Sequence, residues 1–375
     1  MTIEPVGMRS LAVSFPQIIR DNDYYREHYP DLLAKAENKG LARAFSSPPT
    51  PPPVSLEAEV WLEEMEPYLK DPFRGTVERR VLGPGESALT LQRRAACDAL
   101  AAAKLAPADI ELMIVVSLFP DQLVPGDAAF LARDLGISAA AWNLESTCSS
   151  AVIALQTACA LIRAREYRNA LIVVSNTYSN FTDDQDTLML LAADGVAAFV
   201  VGPLDKDQGL LATKVVNTSS SCGAIFVEHV VDVQGRPRAF IRAGKGATRM
   251  FIDTTRFARI CCEAAVSAAG VSLNEIDFFV FSSPTPWSTR VFVRLLGIDP
   301  ERTINTNHRY GNIGPVLPLI NLYHAAEQGK LQENSLVLLY GIGSSSNAAA
   351  SVMRWGDVAL GPAPERTSVD GPAYR

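Results

Sequence analysis

The chain has 375 residues, 48% hydrophobic and 20% charged, with a net charge of −7. At roughly 150 residues per domain, this length suits two or three domains or one large duplicated one, and the composition excludes a disordered chain. The acidic balance leaves no basic footprint for nucleic acid, and apolar runs such as Leu188–Ala193 and Val196–Val201 are too short to span a membrane.

The start, MTIEPVGMRS, lacks the basic and apolar regions of a signal peptide. Residues 1–75 read as an irregular, mostly helical lead-in. Helices are predicted at Asp21–Ala36 and Leu56–Leu69, and five prolines in Ser46–Pro53 make an extended connector between them. That connector is a surface loop joining the two helices, or a lid or partner-docking segment.

From Glu86 the pattern becomes regular. Helices are predicted at Ala88–Lys104, Asp127–Leu135 and Ser149–Arg165. Strands are predicted at Glu111–Leu118, Ala140–Leu144, Ala170–Ser175 and Val196–Val201. Alternating strands and helices imply a mostly parallel sheet covered on both faces. The order returns about 164 residues later. Strands follow at Asp277–Ser282, Thr303–Thr306, Ser335–Tyr340 and Ala348–Trp355, with helices at Thr289–Leu296 and Ile313–Gln328. The chain therefore divides into a lead-in (1–75), two like halves (76–220 and 221–360) and a loose tail (361–375). Residues 202–250 join the halves and carry turn signals.

Six cysteines without CxxC or metal spacing point to a reducing cytoplasm and to no metal site. Cys148 stands out because it precedes the apolar helix of the first half. The helix dipole and free N–H groups there can lower a thiol pKa into roughly the 3.5–7.5 range and hold an oxyanion. The alternative is a small buried cysteine at a core helix start. The equivalent position in the second half is Asn312, again at a helix start, where asparagine also serves as a plain N-cap. The turn Gly341-Ile342-Gly343-Ser344 leads into a strand, so it is no dinucleotide loop; it presents backbone N–H groups instead.

Gly75-Thr76-Val77-Glu78-Arg79-Arg80-Val81, the approach Leu135 to Cys148, Ala192-Ala193-Asp194-Gly195, Tyr310-Gly311-Asn312 and the closing segment Gly329 to Trp355 together resemble one family. It is the ketoacyl-ACP synthase III-like branch of the thiolase-fold condensing enzymes. The resemblance covers about Phe73 to Trp355. It implies an α/β thiolase fold, with duplicated βαβ halves in a five-layered α-β-α-β-α sandwich. It implies a nucleophile at Cys148, acylated from acyl-CoA or an acyl carrier protein, and an active-site Asn312. Oxyanion donors would be the N–H groups of Cys148, Gly343 and Ser344. A homodimer with a pantetheine tunnel is implied, with no cofactor, and Arg74, Arg79 and Arg80 are candidates to meet coenzyme phosphates.

One feature departs from the family. Its catalytic histidine column falls on Ser282, in Phe281-Ser282-Ser283-Pro284-Thr285, and no histidine lies in that segment. A serine hydroxyl is no base near neutral pH, but it donates a hydrogen bond to a thioester carbonyl. Thr285 joins it as a substrate-binding candidate. His308, four residues before Asn312, is a relocated base or a surface residue. Glu145 is a base or a turn residue, and Asp121 reads as a Pro-Asp turn. His229 and His324 read as structural. Three functions follow: an acyltransferase acylated on Cys148; a decarboxylative synthase using Ser282 or His308; or a non-catalytic partner in a heterodimer.

Overall fold

The computed structural model describes residues 4–45, 55–205, 207–232, 234–244, 246–342 and 346–365. The proline-rich connector and the tail beyond 365 lie outside them. In chain order the strands are β1 (Val6–Ser14), β2 (Ile18–Asp21), β3 (Glu78–Val81), β4 (Leu112–Ser117), β5 (Ala140–Asn143), β6 (Ala170–Thr177) and β7 (Asp194–Pro203). They continue with β8 (Gly209–Asn217), β9 (Ile225–Val231), β10 (Pro237–Ala243), β11 (Phe278–Phe281), β12 (Leu336–Gly341), β13 (Asn347–Arg354) and β14 (Ala359–Leu360). The helices are α1 (Asn22–His28), α2 (Pro30–Phe45), α3 (Leu56–Met65), α4 (Ala88–Ala102) and α5 (Asp127–Leu135). After them come α6 (Ser150–Arg163), α7 (Ala247–Ala269), α8 (Ser288–Leu296), α9 (Asn307–Tyr310) and α10 (Leu317–Glu327).

Two mixed sheets form the frame, ordered β14-β1-β7-β6-β4-β5 and β11-β12-β13-β8. The halves share the same core pairing, although the first sheet has six strands and the second four. β4 pairs parallel to β5 and β6, as β11 pairs parallel to β12 and, through an isolated bridge, to Thr303. Each half then adds antiparallel strands. The expected strand at 303–306 is thus reduced to that bridge. Two further readings are corrected. The lead-in is helical over much of its length but also holds Val6–Ser14, a buried strand between β14 and β7 that the helical reading left out. The segment joining the halves supplies β8 to the second sheet and the β9–β10 hairpin.

Strand chemistry explains the layering. Successive side chains of a strand face opposite sides. In β6, Ala170, Ile172 and Val174 join the central core, whereas Leu171 and Val173 pack outward on α4 and α5 residues such as Leu91 and Leu131. In β12, Val337 and Leu339 face inward, and Leu338 and Tyr340 pack on α7 and α8. Both faces are dry, so these strands read as unbroken apolar runs rather than alternating ones. Helices α6 and α10 lie between the sheets, which accounts for apolar residues all around α6. The result is five layers, α-β-α-β-α. Among the described residues, no helix is long and apolar enough to cross a membrane.

Asp194, at the start of β7, is fully buried and ties three segments together. It accepts from Leu82 N–H at 2.8 Å, from Ser179 N–H at 2.9 Å and from the Ser179 hydroxyl. Burial pushes its carboxyl up to about 6, although each of those bonds pulls it down. The folded state therefore holds this proton more tightly than the unfolded state. Asp194's share of stability declines as pH rises from its ordinary value of 3.8 to about 6. Asp194→Asn sets an amide N–H against one of these donors. We expect it to cost about 2 kcal/mol and to flatten that decline, as measured by urea titrations across the window.

Candidate active site

The turn before α6 is built from small hydroxyl residues that bond to its own backbone. Ser150 Oγ accepts from Ser146 N–H at 2.7 Å and donates to Thr147 O at 2.7 Å, while Ser149 Oγ donates to Ser146 O at 2.8 Å. Asn347 Nδ2 reaches across from β13 to Ser146 Oγ at 2.8 Å. Thr147 takes a left-handed φ of 48°, and the Glu145 carboxylate accepts its N–H at 2.6 Å. This clamp sets Cys148 in a short 3-10 turn leading into α6. A Cβ on Gly341 would lie 3.0 Å from Ser149 Cα, so only glycine lets β12 approach the turn this closely.

Asn312 is fixed from the other half. Its N–H donates to Leu191 O at 2.8 Å, and its carbonyl accepts from Ala193 N–H at 3.1 Å. Gly311 before it has φ 65°, and a Cβ there would meet Leu191 O at 2.8 Å. Asn312 Oδ1 accepts from Gly314 N–H at 3.0 Å, which leaves the amide Nδ2 as its free donor. The Ala-Ala-Asp-Gly and Tyr-Gly-Asn segments are thus hydrogen-bonded partners.

Cys148, Asn312, Ser282, Thr285 and Arg74 line one cavity of about 500 Å³. Ser282 sits just past the end of β11, and its N–H donates to Tyr340 O at 2.8 Å. Thr285 shares a 2.6 Å hydrogen bond with Ser288. Arg74 donates to Tyr68 O at 2.7 Å and to Leu69 O. The walls are mainly apolar: Trp61 and Met65 from α3, Ile225 and Ile241 from the hairpin, Phe251 and Trp287. Ile342 also lines it, while Gly343 and Ser344 lie outside the described residues.

The remaining candidates are elsewhere. Arg79 is fully buried between the Tyr25 and Phe73 rings and donates to Leu190 O at 2.7 Å. Arg80 is buried and donates to Pro16 O and Glu365 O. Neither lines the cavity, which corrects their reading as phosphate contacts: both side chains are buried in the fold instead. His308 does not line the cavity, and its carbonyl accepts from Val77 N–H at 2.8 Å. Glu145 is an exposed turn residue. Asp121 caps α4 through Ala88 and Leu89 N–H. His324 is buried and bonded to Tyr310 and Glu327, and His229 is exposed on the hairpin. None of the four histidines lines the cavity. Among the described residues, no cluster can hold a metal.

The residue that sequence analysis missed is Tyr178, past the end of β6. It lines the same cavity as Cys148. Its signal was legible: a polar aromatic directly after a buried strand, where open α/β sheets place their sites.

The expected lowering of the Cys148 thiol does not hold. The sulfur touches the cavity but lies deep in the protein, and burial pushes it up to about 11. The neighbouring Tyr178 hydroxyl pulls it down, and the Glu145 charge adds to the rise.

Two family models match the chain: 3-oxoacyl-(acyl-carrier-protein) synthase III over residues 142–219, and its C-terminal model over 266–355. The beta-ketoacyl-(acyl-carrier-protein) synthase III of a Chelativorans species is 30% identical over 298 residues, covering 75% of this chain and 88% of the relative. The chain belongs to the ketoacyl-ACP synthase III family. Members of this family are condensing acyltransferases, and this chain is an enzyme of that class. The Thermus thermophilus synthase III structure superposes with a TM-score of 0.75 at 22% identity, covering 94% of this chain and all but 1% of that one. OleA of Xanthomonas campestris superposes at 0.74 and 20% identity, covering 95% of this chain and 100% of that one. These likenesses confirm the thiolase fold.

The raised thiol sets the pH dependence expected of Cys148. Alkylation of Cys148 by iodoacetamide, followed by peptide mass spectrometry, is expected to rise about tenfold per pH unit towards pH 11. A plateau below pH 8 would contradict it.

Proposed function

We propose that this enzyme takes an acyl group from a coenzyme A or acyl-carrier thioester onto Cys148 and passes it to an alcohol, amine or carbon acceptor. One observation carries this reading: Cys148, Asn312 and Ser282 converge on a single cavity that no histidine enters. Cys148 Sγ attacks the thioester carbonyl, and the pantetheine sulfur leaves. The Cys148 N–H, with Gly343 and Ser344 in the following turn, is the proposed oxyanion donor set. Asn312 Nδ2 and the Ser282 hydroxyl donate to the carbonyl of the acyl group or acceptor, with Thr285 beside them. Arg74 lies near the incoming thioester.

The missing imidazole weighs against decarboxylative condensation, because the enolate left by loss of carbon dioxide loses one of the two donors, histidine and asparagine, that would stabilise it. The decarboxylative alternative would use Ser282 in the histidine's place, since His308 stands outside the cavity. Retention of a thiol at this position argues against a non-catalytic subunit. A cytoplasmic homodimer suits the reading: β5 is a sheet edge with unpaired backbone, and Leu123 and Val124 nearby are 83% and 89% exposed.

Intact-protein mass spectrometry with acyl-CoA and acyl-carrier donors tests the proposal. Wild type should gain the acyl mass and Cys148→Ala none. Asn312→Ala and Ser282→Ala should keep the adduct but lose roughly 10- to 1,000-fold in transfer. Release of carbon dioxide from a malonyl donor would favour condensation instead.

A further inference from the structure

Helix α10 is buried over most of its length and carries an asparagine, Asn321, near its centre. That side chain is fully buried. An amide carried into such a layer costs free energy unless it is bonded. Its bonds run to two different loops. Nδ2 donates to Phe281 O at 3.0 Å, in the peptide unit that precedes Ser282. Oδ1 accepts from Thr306 N–H at 3.1 Å and from the Thr306 hydroxyl at 2.8 Å.

Both loops lead to groups that line the cavity. The other end of the Phe281–Ser282 peptide, the Ser282 N–H, donates to Tyr340 O at 2.8 Å, so this unit is gripped at both ends. Further along, Asn307 Nδ2 donates to Ser283 O at 3.2 Å, and Asn305 Nδ2 donates to Pro286 O at 3.0 Å. Asparagine amides thus hold the carbonyls on either side of Ser282. In the second loop, Thr306 O accepts from Tyr310 N–H at 3.1 Å, and Asn307 O accepts from Gly311 N–H at 2.7 Å. Those bonds carry the chain from Thr306 to Asn312. Asn321 therefore ties the two loops together from a third element.

We propose that Asn321 is a positioning residue that fixes the Ser282 hydroxyl and the Asn312 amide in one relative placement. Its effect on the reaction rests on the reading above, in which those two groups donate to the acyl or acceptor carbonyl. Two donors aimed at one developing charge act together only if their separation is set in advance. A misplacement of about 1 Å costs on the order of 100-fold. Cys148 is set by a separate clamp, the serines of its own turn and Asn347. Loss of Asn321 therefore divides the two steps: transfer suffers, and acylation of Cys148 does not.

Asn321→Leu keeps the side chain's shape and removes its bonds. It should form the Cys148 acyl adduct at the wild-type rate and pass it on roughly 10- to 100-fold more slowly, in kcat rather than in KM for the acceptor. Asn321→Asp gives a second reading. Its protonated carboxyl can donate to Phe281 O as the amide does, and its ionised form cannot. The ratio of transfer to acylation, relative to wild type at each pH, should therefore be near wild type at low pH and fall as pH rises. His324, one turn further on, is bonded to Tyr310 and Glu327. Its titration is common to both proteins, so the comparison removes it. If Asn321→Leu does not fold, Asn321→Asp carries the test.

Hydrogen exchange read by mass spectrometry needs no substrate. Either variant, Asn321→Asp at high pH, should exchange faster in peptides spanning 278–288 and 303–312 and at the wild-type rate in 143–150. Equal slowing of acylation and transfer, or faster exchange in all three peptides, would make the role merely structural and overturn the proposal. An unchanged transfer rate, unchanged exchange in the first two peptides, or an Asn321→Asp ratio that does not fall with pH would overturn it as well. If wild type fails to acylate while exchange rises in those two peptides alone, the acyl-transfer reading fails and the placement of the two loops by Asn321 stands.

Discussion

Two main-chain hydrogen bonds, from Asn312 N–H to Leu191 O and from Ala193 N–H to Asn312 O, join the halves of the molecule at the cavity floor. Much of the site depends on them. They need a glycine at 311, because a Cβ would strike the Leu191 carbonyl. They bring the start of β7, and so Asp194, beside the loop that carries Tyr178. Asp194 in turn anchors Ser179 and Leu82. A buried backbone group left unpaired costs roughly 1–3 kcal/mol, so this seam is well determined.

The central layer imposes a second constraint. Helices α6 and α10 are covered by sheets on both sides, so their flanks must be apolar, and polar groups concentrate at their ends. The nucleophile turn gathers its serines there and satisfies them internally. The surplus functional groups, Cys148 Sγ, Asn312 Nδ2 and the Ser282 hydroxyl, face the cavity. Burial makes the thiol a weak acid, and no imidazole is present to take its proton. Chemistry at Cys148 must therefore draw on hydrogen-bond donors in a mainly apolar cavity, where such bonds weigh more than in water.

The outer wall comes from segments added to the duplicated core. Trp61, Trp287, Val60 and Val291 form one apolar cluster, with Met65, Tyr68 and Phe251 packed around it. Arg290 and Arg294 also pair with Glu63 and Glu64, but these contacts are substantially exposed, and such pairs contribute about 0–1 kcal/mol each. Apolar packing is what seats α3 on α8. The cavity wall beside it is shaped by Trp61, which the duplicated pattern did not foretell.

The layered α/β frame, the repeat and the positions of Cys148 and Asn312 were legible in the sequence. Strand and helix periodicity is local, and glycine, asparagine and cysteine at element ends mark where backbone turns. The first strand was not legible, since Val6–Ser14 is a short apolar run whose partners, β7 and β14, lie far along the chain. Side-chain direction was equally hidden. Arg79 and Arg80 look like solvated cations in the sequence, yet the fold draws them into carbonyl-lined and ring-lined pockets. His308 is four residues from Asn312 but stands outside the cavity. Tyr178 shares a cavity with Cys148 only because the end of β6 and the start of α6 open onto it. Local pattern determined which elements form; long-range packing alone decided which groups share the cavity, because burial, proximity and pKa belong to assembled surroundings rather than to any segment.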